Sequence, residues 1–325
     1  MTAYFSNATS AFQESVRLLL HLHKLTVAGG DESKEADDIR DRMDAPWHAM
    51  TEAEQKTIRN LSADLYTITE PLSDTEPLRP EFKSQINDAL EQQRYAEALH
   101  LIRQNAPQLD EHAGAFLRGI CWSGLALPSA AAEFFLHAER VQPGTPETRL
   151  CALSTLISGS REQEALDRAQ KWAGESDDPS LVLKASEVVF LNAIRLPVEN
   201  GRHLYEQTIE LANRALELYA DRSPDPATDE QANVAMLQIA VSCSSLGDWE
   251  KAREYSALAR KRSPNSVVAI TVDGMLNESA APVGDAAKME VARRIVGAPV
   301  ELSEDESLGS MPPPSRLIRH VFSLN

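Results

Sequence analysis

The residues best spaced for chemistry in this chain of 325 are Asp37-Asp38-Ile39-Arg40-Asp41, where Asp37 and Asp41 stand one turn apart on a predicted helix. Carboxylates so placed are hard oxygen donors of the kind a magnesium ion takes. Arg40 and Arg42 alternate with the acids, a pattern that equally describes a solvent face laced by salt bridges. Other routes to catalysis lack their residues. No Gly-Lys pair, G-x-G-x-x-G or G-x-S-x-G occurs, so neither a phosphate loop nor a nucleophile elbow is supported. His21 and His23 are two residues apart, which on a helix sends them to nearly opposite sides, and His23 falls on an apolar stripe as a packing residue. Cys121, Cys151 and Cys243 are odd in number and lie in apolar helical stretches, as free core thiols do. The expectation is therefore no catalytic residue, no metal and no cofactor.

The Asp37 to Asp41 string resembles the aspartate-rich motif of all-helical terpenoid synthases, in which such carboxylates bridge magnesium ions to a diphosphate. That resemblance implies a magnesium-dependent helical enzyme, kept as the alternative function. The same chemistry needs a second metal-binding motif on a facing helix and a large aromatic pocket. Neither is visible, and aromatic residues make up only 6% of the chain.

Charge narrows the partners. With 49 acidic against 32 basic side chains the formal charge is −17, which repels phosphate backbones and anionic lipid. Nucleic acid and membrane are disfavoured, and a partner with basic flanks is favoured. No apolar run reaches the length of a membrane span, and no leader pattern opens the chain, so a reducing cytoplasm is the expected location.

The elements that would position any site read as helices throughout. Residues 4 to 27 carry Phe5, Phe12, Val16, Leu19, Leu20 and His23 at helical spacing, stopped by Gly29-Gly30. Asp31 is the expected cap of a second helix to about Asp44, and Thr51 with Glu54 forms a capping box opening a third. Residues 1–70 are thus expected as an N-terminal helical bundle, followed by a Pro-rich linker at 71–80. Beyond it, 81–297 is expected as about five to six helix pairs, and 298–325 as an acidic, Pro-rich spacer with a basic, apolar tail.

Within the pairs a period emerges from small residues. In residues 233 to 266, Ala240, Cys243, Ala252, Ala259 and Pro264 flank the turn Gly247-Asp248-Trp249, and in an earlier unit Gly119, Trp122, Ala131, Phe135, Ala138 and Pro143 stand in the same register. Ala98, Ala131 and Ala165 are spaced by 33 and then 34 residues. Asn105 and Trp172 depart from the small residue expected late in their second helices, and Pro197 to Gly201 is expected to lengthen one internal turn. The pattern resembles the tetratricopeptide repeat (TPR) over about residues 81–296, with Gly119, Ala131, Ala138, Pro143, Ala240, Ala252, Ala259 and Pro264 as its packing signature. The resemblance implies an all-α, TPR-like superhelix of antiparallel helix pairs behind the N-terminal bundle, with a last pair at roughly 266 to 277 and 284 to 296.

The function that follows is a non-enzymatic scaffold that holds another protein. In TPR arrays the first helix of each pair lines a groove, which assigns Phe116, Ile120 and Ser123 in one unit and Val234, Leu237 and Val241 in another to the ligand; the alternative is that these side chains pack against neighbouring helices. The tail segment Arg316 to Leu324, stiffened by Pro312, Pro313 and Pro314, is a candidate self-docking occupant.

Overall fold

The computed structural model describes residues 9–69, 76, 79–221 and 226–278. Fourteen α-helices carry the described chain, and among the described residues there is no strand. The expected Pro-rich linker lies almost wholly outside the described residues; the second helix of the last pair and the tail lie wholly outside them.

Three helices come first. α1 (Ser10–Val27) is capped by the Thr9 hydroxyl and buries Phe12, Val16, Leu19, Leu20 and His23; Gly29, at φ 76°, turns the chain away. α2 (Lys34–Ala49) corrects the expected boundary at both ends. Ser33 caps it, its Oγ accepting from the Ala36 N–H at 3.2 Å, because Asp31 sits too far from the first turn to reach a free amide. The helix then runs on past Asp44 and through Pro46.

α3 (Glu52–Thr69) opens on the predicted capping box, with Glu54 N–H on Thr51 Oγ1 at 3.3 Å and Thr51 N–H on Glu54 Oε2 at 2.9 Å. Thr9 adds its own N–H and hydroxyl to the same carboxylate, joining α1 to α3. Burial opposes its charge, yet hydrogen bonds from Thr9 and Thr51 prevail and hold Glu54 at about 2.

Five antiparallel pairs follow: α4 (Pro80–Glu91) with α5 (Tyr95–Gln104), α6 (Glu111–Gly124) with α7 (Pro128–Val141), α8 (Pro146–Ser158) with α9 (Glu162–Gly174), α10 (Pro179–Ala193) with α11 (Val198–Ala220), and α12 (Pro226–Leu246) with α13 (Trp249–Arg262). α14 (Val267–Glu278) packs on α13.

Four of the five pairs share one turn. Gln93, Ala126, Ser160 and Gly247 all adopt the left-handed conformation, at φ 54°, 59°, 57° and 86°. In each case the next N–H reaches back to close the helix: Arg94 to Ala89 O at 2.7 Å, Leu127 to Trp122 O at 3.0 Å, Arg161 to Leu156 O at 2.9 Å and Asp248 to Cys243 O at 2.9 Å. Five residues beyond each turning residue stands a fully buried alanine, Ala98, Ala131, Ala165 and Ala252. The short side chain is what lets the second helix lie close on the first. Pro143 and Pro264, each two residues past the end of the second helix, stand exposed in the turns that end their pairs.

The α10–α11 pair departs from this scheme, though not as its sequence suggests. Residues Val198 to Gly201 are helical, so the turn is short and lies at Ile194 to Pro197. Gly201 is required inside α11 because a Cβ there would come within 3.0 Å of the Ala193 carbonyl oxygen. The chain forms two compact units dividing after Pro143, whose described helices are α1–α7 and α8–α14.

Candidate interaction surface

Buried side chains occupy most of the expected groove. Phe116 is fully buried, stacked on His112 and edge-on to Phe135 with ring centroids 5.4 Å apart. Ile120, Leu237 and Val241 are likewise buried, and of the six only Ser123 and Val234 are half-exposed. These four buried side chains therefore pack within the chain, and in α6 every residue from His112 to Trp122 is buried. Of the signature residues, Ala131, Ala138, Ala240, Ala252 and Ala259 are at zero exposure and Gly119 is set against the Phe135 ring.

The apolar side chains left half-exposed on first helices gather in the second unit. Helical periodicity puts Leu150, Ser154 and Ile157 on one face of α8, Lys184, Glu187 and Leu191 on one face of α10, and Val234, Gln238, Val241 and Ser245 on one face of α12. α10 packs against both α8 and α12. Lys184 pairs with Glu187, whose carboxyl is nonetheless raised because burial outweighs the ammonium. Gln238 accepts through Oε1 from Ser186 Oγ at 2.7 Å, tying α10 to α12.

Two further features were not legible as sites. Asp64, at 1% exposure, accepts a bidentate pair from Arg103 Nε and Nη2 at 2.8 and 2.7 Å, a bond from Trp122 Nε1 at 3.1 Å, and a longer approach from Arg118 Nε at 3.4 Å. Arg118 spends its Nη1 on Gly114 O. Burial pulls the Arg118 guanidinium down, opposed by Asp64. This centre binds α3 to α5 and α6. The signal for it was an acid on the Leu61, Leu65, Ile68 stripe and an arginine inside the apolar α6, each unreadable without the other. The second feature is a cleft of about 210 Å³ among α11, α12 and α13, lined by Ile209, Asn213, Cys243, Lys251 and Tyr255, with Tyr255 Oη donating to Asn213 at 2.9 Å.

None of these groups is poised as a nucleophile. All three cysteines are free and buried; burial raises Cys121 and Cys151 strongly, and burial followed by Asp248 raises Cys243 to about 11. Asp37, Asp38 and Asp41 are exposed on α2, and Asp37 accepts from Arg40 Nη1 at 2.7 Å. His21 faces Glu35 at 3.2 Å while His23 is buried, so the two do point apart. Among the described residues no group of three or more His, Cys, Asp or Glu side chains is placed to hold a metal ion, and no helix is long and apolar enough to cross a membrane.

No protein-family model matches the chain, and no curated protein matches it in sequence. Among solved structures it is similar to the P58(IPK) TPR domain, at 13% identity over 95% of this chain and 79% of that one, with a TM-score of 0.31. A likeness that low carries no argument, so the fold rests on the helix pairs themselves.

Proposed function

We propose that this chain is a tetratricopeptide-type repeat protein that holds another polypeptide and performs no turnover. The observation that carries the reading is the turn shared by four pairs, each followed five residues later by a buried alanine, since stacked pairs of that kind exist to present an extended surface. The surface assigned to the ligand is the face of α8, α10 and α12 bearing Leu150, Ile157, Leu191 and Val234. Half-exposed apolar side chains beside the Lys184–Glu187 pair suit a segment with a few hydrophobic anchors. Three free thiols agree with a reducing compartment such as the cytoplasm. The basic, apolar tail from Arg316 to Leu324 stays a candidate occupant from within the chain.

The test uses two substitutions with opposite meanings. Leu191→Glu with Val234→Glu should abolish capture of the native partner while the circular dichroism melt stays within a few degrees of wild type, because both positions already face water. Leu237→Glu should instead unfold its pair, since Leu237 is buried. Retention of the partner by the double variant would refute this surface. Saturable magnesium heat abolished by Asp37→Ala would replace the scaffold with the enzyme.

A further inference from the structure

In the first unit, the end of α1 meets α6 and α7 through a cluster of charged and titratable groups that the scaffold reading does not use. His23 on α1 and His137 on α7 are both under 10% exposed. Around them stand two acids and two cations. Lys24 Nζ lies 3.7 Å from Glu133 Oε1; Glu111 Oε1, from α6, lies 2.9 Å from His137 Nε2; and Arg140 Nη2 lies 3.3 Å from His137 Nδ1. Glu133 and His137 are one turn apart on α7, and His23 feels Glu133, Arg140, His137 and Lys24 together.

With both imidazoles neutral, Lys24 and Arg140 balance Glu111 and Glu133. With both protonated, these described groups carry four positive charges against two negative ones, and the two added charges fall on imidazoles that are themselves buried and poorly screened, while Lys24, Glu111 and Arg140 reach water. We infer that this junction is an acid-sensitive latch: the α1 contact with α7 is closed near neutral pH and opens when His23 and His137 take up protons.

The direction of titration agrees. Burial lowers His23, with Arg140, His137 and Lys24 adding to it against Glu133; burial and Arg140 lower His137 against Glu111. A histidine depressed in the folded state binds fewer protons there than in the opened one. Stability is therefore full above the ordinary histidine value and falls as pH drops below it, ceasing to fall once the folded histidine also titrates. The opened element is the end of α1 that carries His23 and Lys24; the rest of the helix stays packed on α2 and α3, and its start stays tied by Thr9 to Glu54, which remains ionised to about 2.

Hydrogen exchange of the full chain, read by mass spectrometry at about pH 7.5 and about pH 5.5 and corrected for the intrinsic rate, tests the latch. Amides in the second half of α1 should open several-fold more often at the lower pH, while α8 to α13 serve as the unchanged internal control. His23→Gln with His137→Gln should remove the pH response. Should that double variant fold poorly, Arg140→Gln provides the second measurement, since removing one cation should shift the opening to lower pH. Equal α1 protection at both pH values, or an undiminished response in the double variant, would overturn the inference, as would loss of protection throughout the chain.

Discussion

The pairs α6–α7 and α12–α13 carry the same repeat register but fill it differently. In α6–α7 the crossing residue is Gly119 and its opposite number is Phe135, so close that a Cβ on Gly119 would lie 2.7 Å from the ring. In α12–α13 the same two places hold Ala240 and Ser256, both fully buried, and Ser256 lies 3.3 Å from Asp273 of the following helix. One large and one absent side chain in the first pair do the work of two small ones in the second. Helix separation is what the repeat conserves, and the partition of volume across the crossing is free.

The polar ties around these pairs also differ. α6 is anchored by a charged centre, with Asp64 serving Arg103, Arg118 and Trp122, whereas α12 is anchored by the neutral Gln238. Removing a charge strands its partners; removing an amide need not. Asp64→Leu should thus give the largest effect of any single change, a loss of about 3–5 kcal/mol, because Arg118 is left buried without its acid. Gln238→Leu sharpens the contrast and should stay within about 1 kcal/mol of wild type, since its Nε2 has no partner among the described residues and Ser186 Oγ keeps Thr208 O at 3.2 Å. Urea denaturation of both variants checks the pair, and similar losses would erase the distinction.

The crossing itself supplies the next test. Gly119→Ala should cost about 1–3 kcal/mol by driving a methyl group into Phe135, and a second change, Phe135→Leu, should recover part of it. Ala240→Gly should cost only about 1 kcal/mol, the ordinary penalty of glycine within a helix. If the two single variants lose equal stability, the complementary filling described here is wrong. The smallest effect belongs to the turns. Ala126→Gly relieves a left-handed alanine and should stabilise by about 0.5–1 kcal/mol, while Gly247→Ala should cost about 1 kcal/mol, both seen as shifts in melting temperature.

Much of the fold was legible because its determinants are local or periodic. The capping box at Thr51 and Glu54 and the alanines spaced by about one repeat act within a few residues or recur at a fixed interval. Where the reading missed, a local signal competed with a nearer one, as Ser33 displaced Asp31, or packing overrode punctuation, as Val198 to Gly201 joined α11 in spite of Pro197 and Gly201. Three of the four shared turns passed unseen because Gln93, Ala126 and Ser160 hold a conformation that normally announces itself with glycine.

The surface was the least legible part. Periodicity tells which residues share a helix face, but whether a face meets water or another helix depends on what the rest of the chain brings to it. Register leaves Phe116, Ile120, Leu237 and Val241 open to either a ligand or a neighbouring helix, and all four are buried. By itself the sequence determined the helices, their pairing and their period, since these follow from spacing along the chain. Tertiary structure alone decided that Asp64 would meet Arg118 across more than fifty residues, that two histidines would be enclosed together, and that the half-exposed apolar side chains of the first helices would fall on α8, α10 and α12, because burial and charge pairing are properties of neighbours in space.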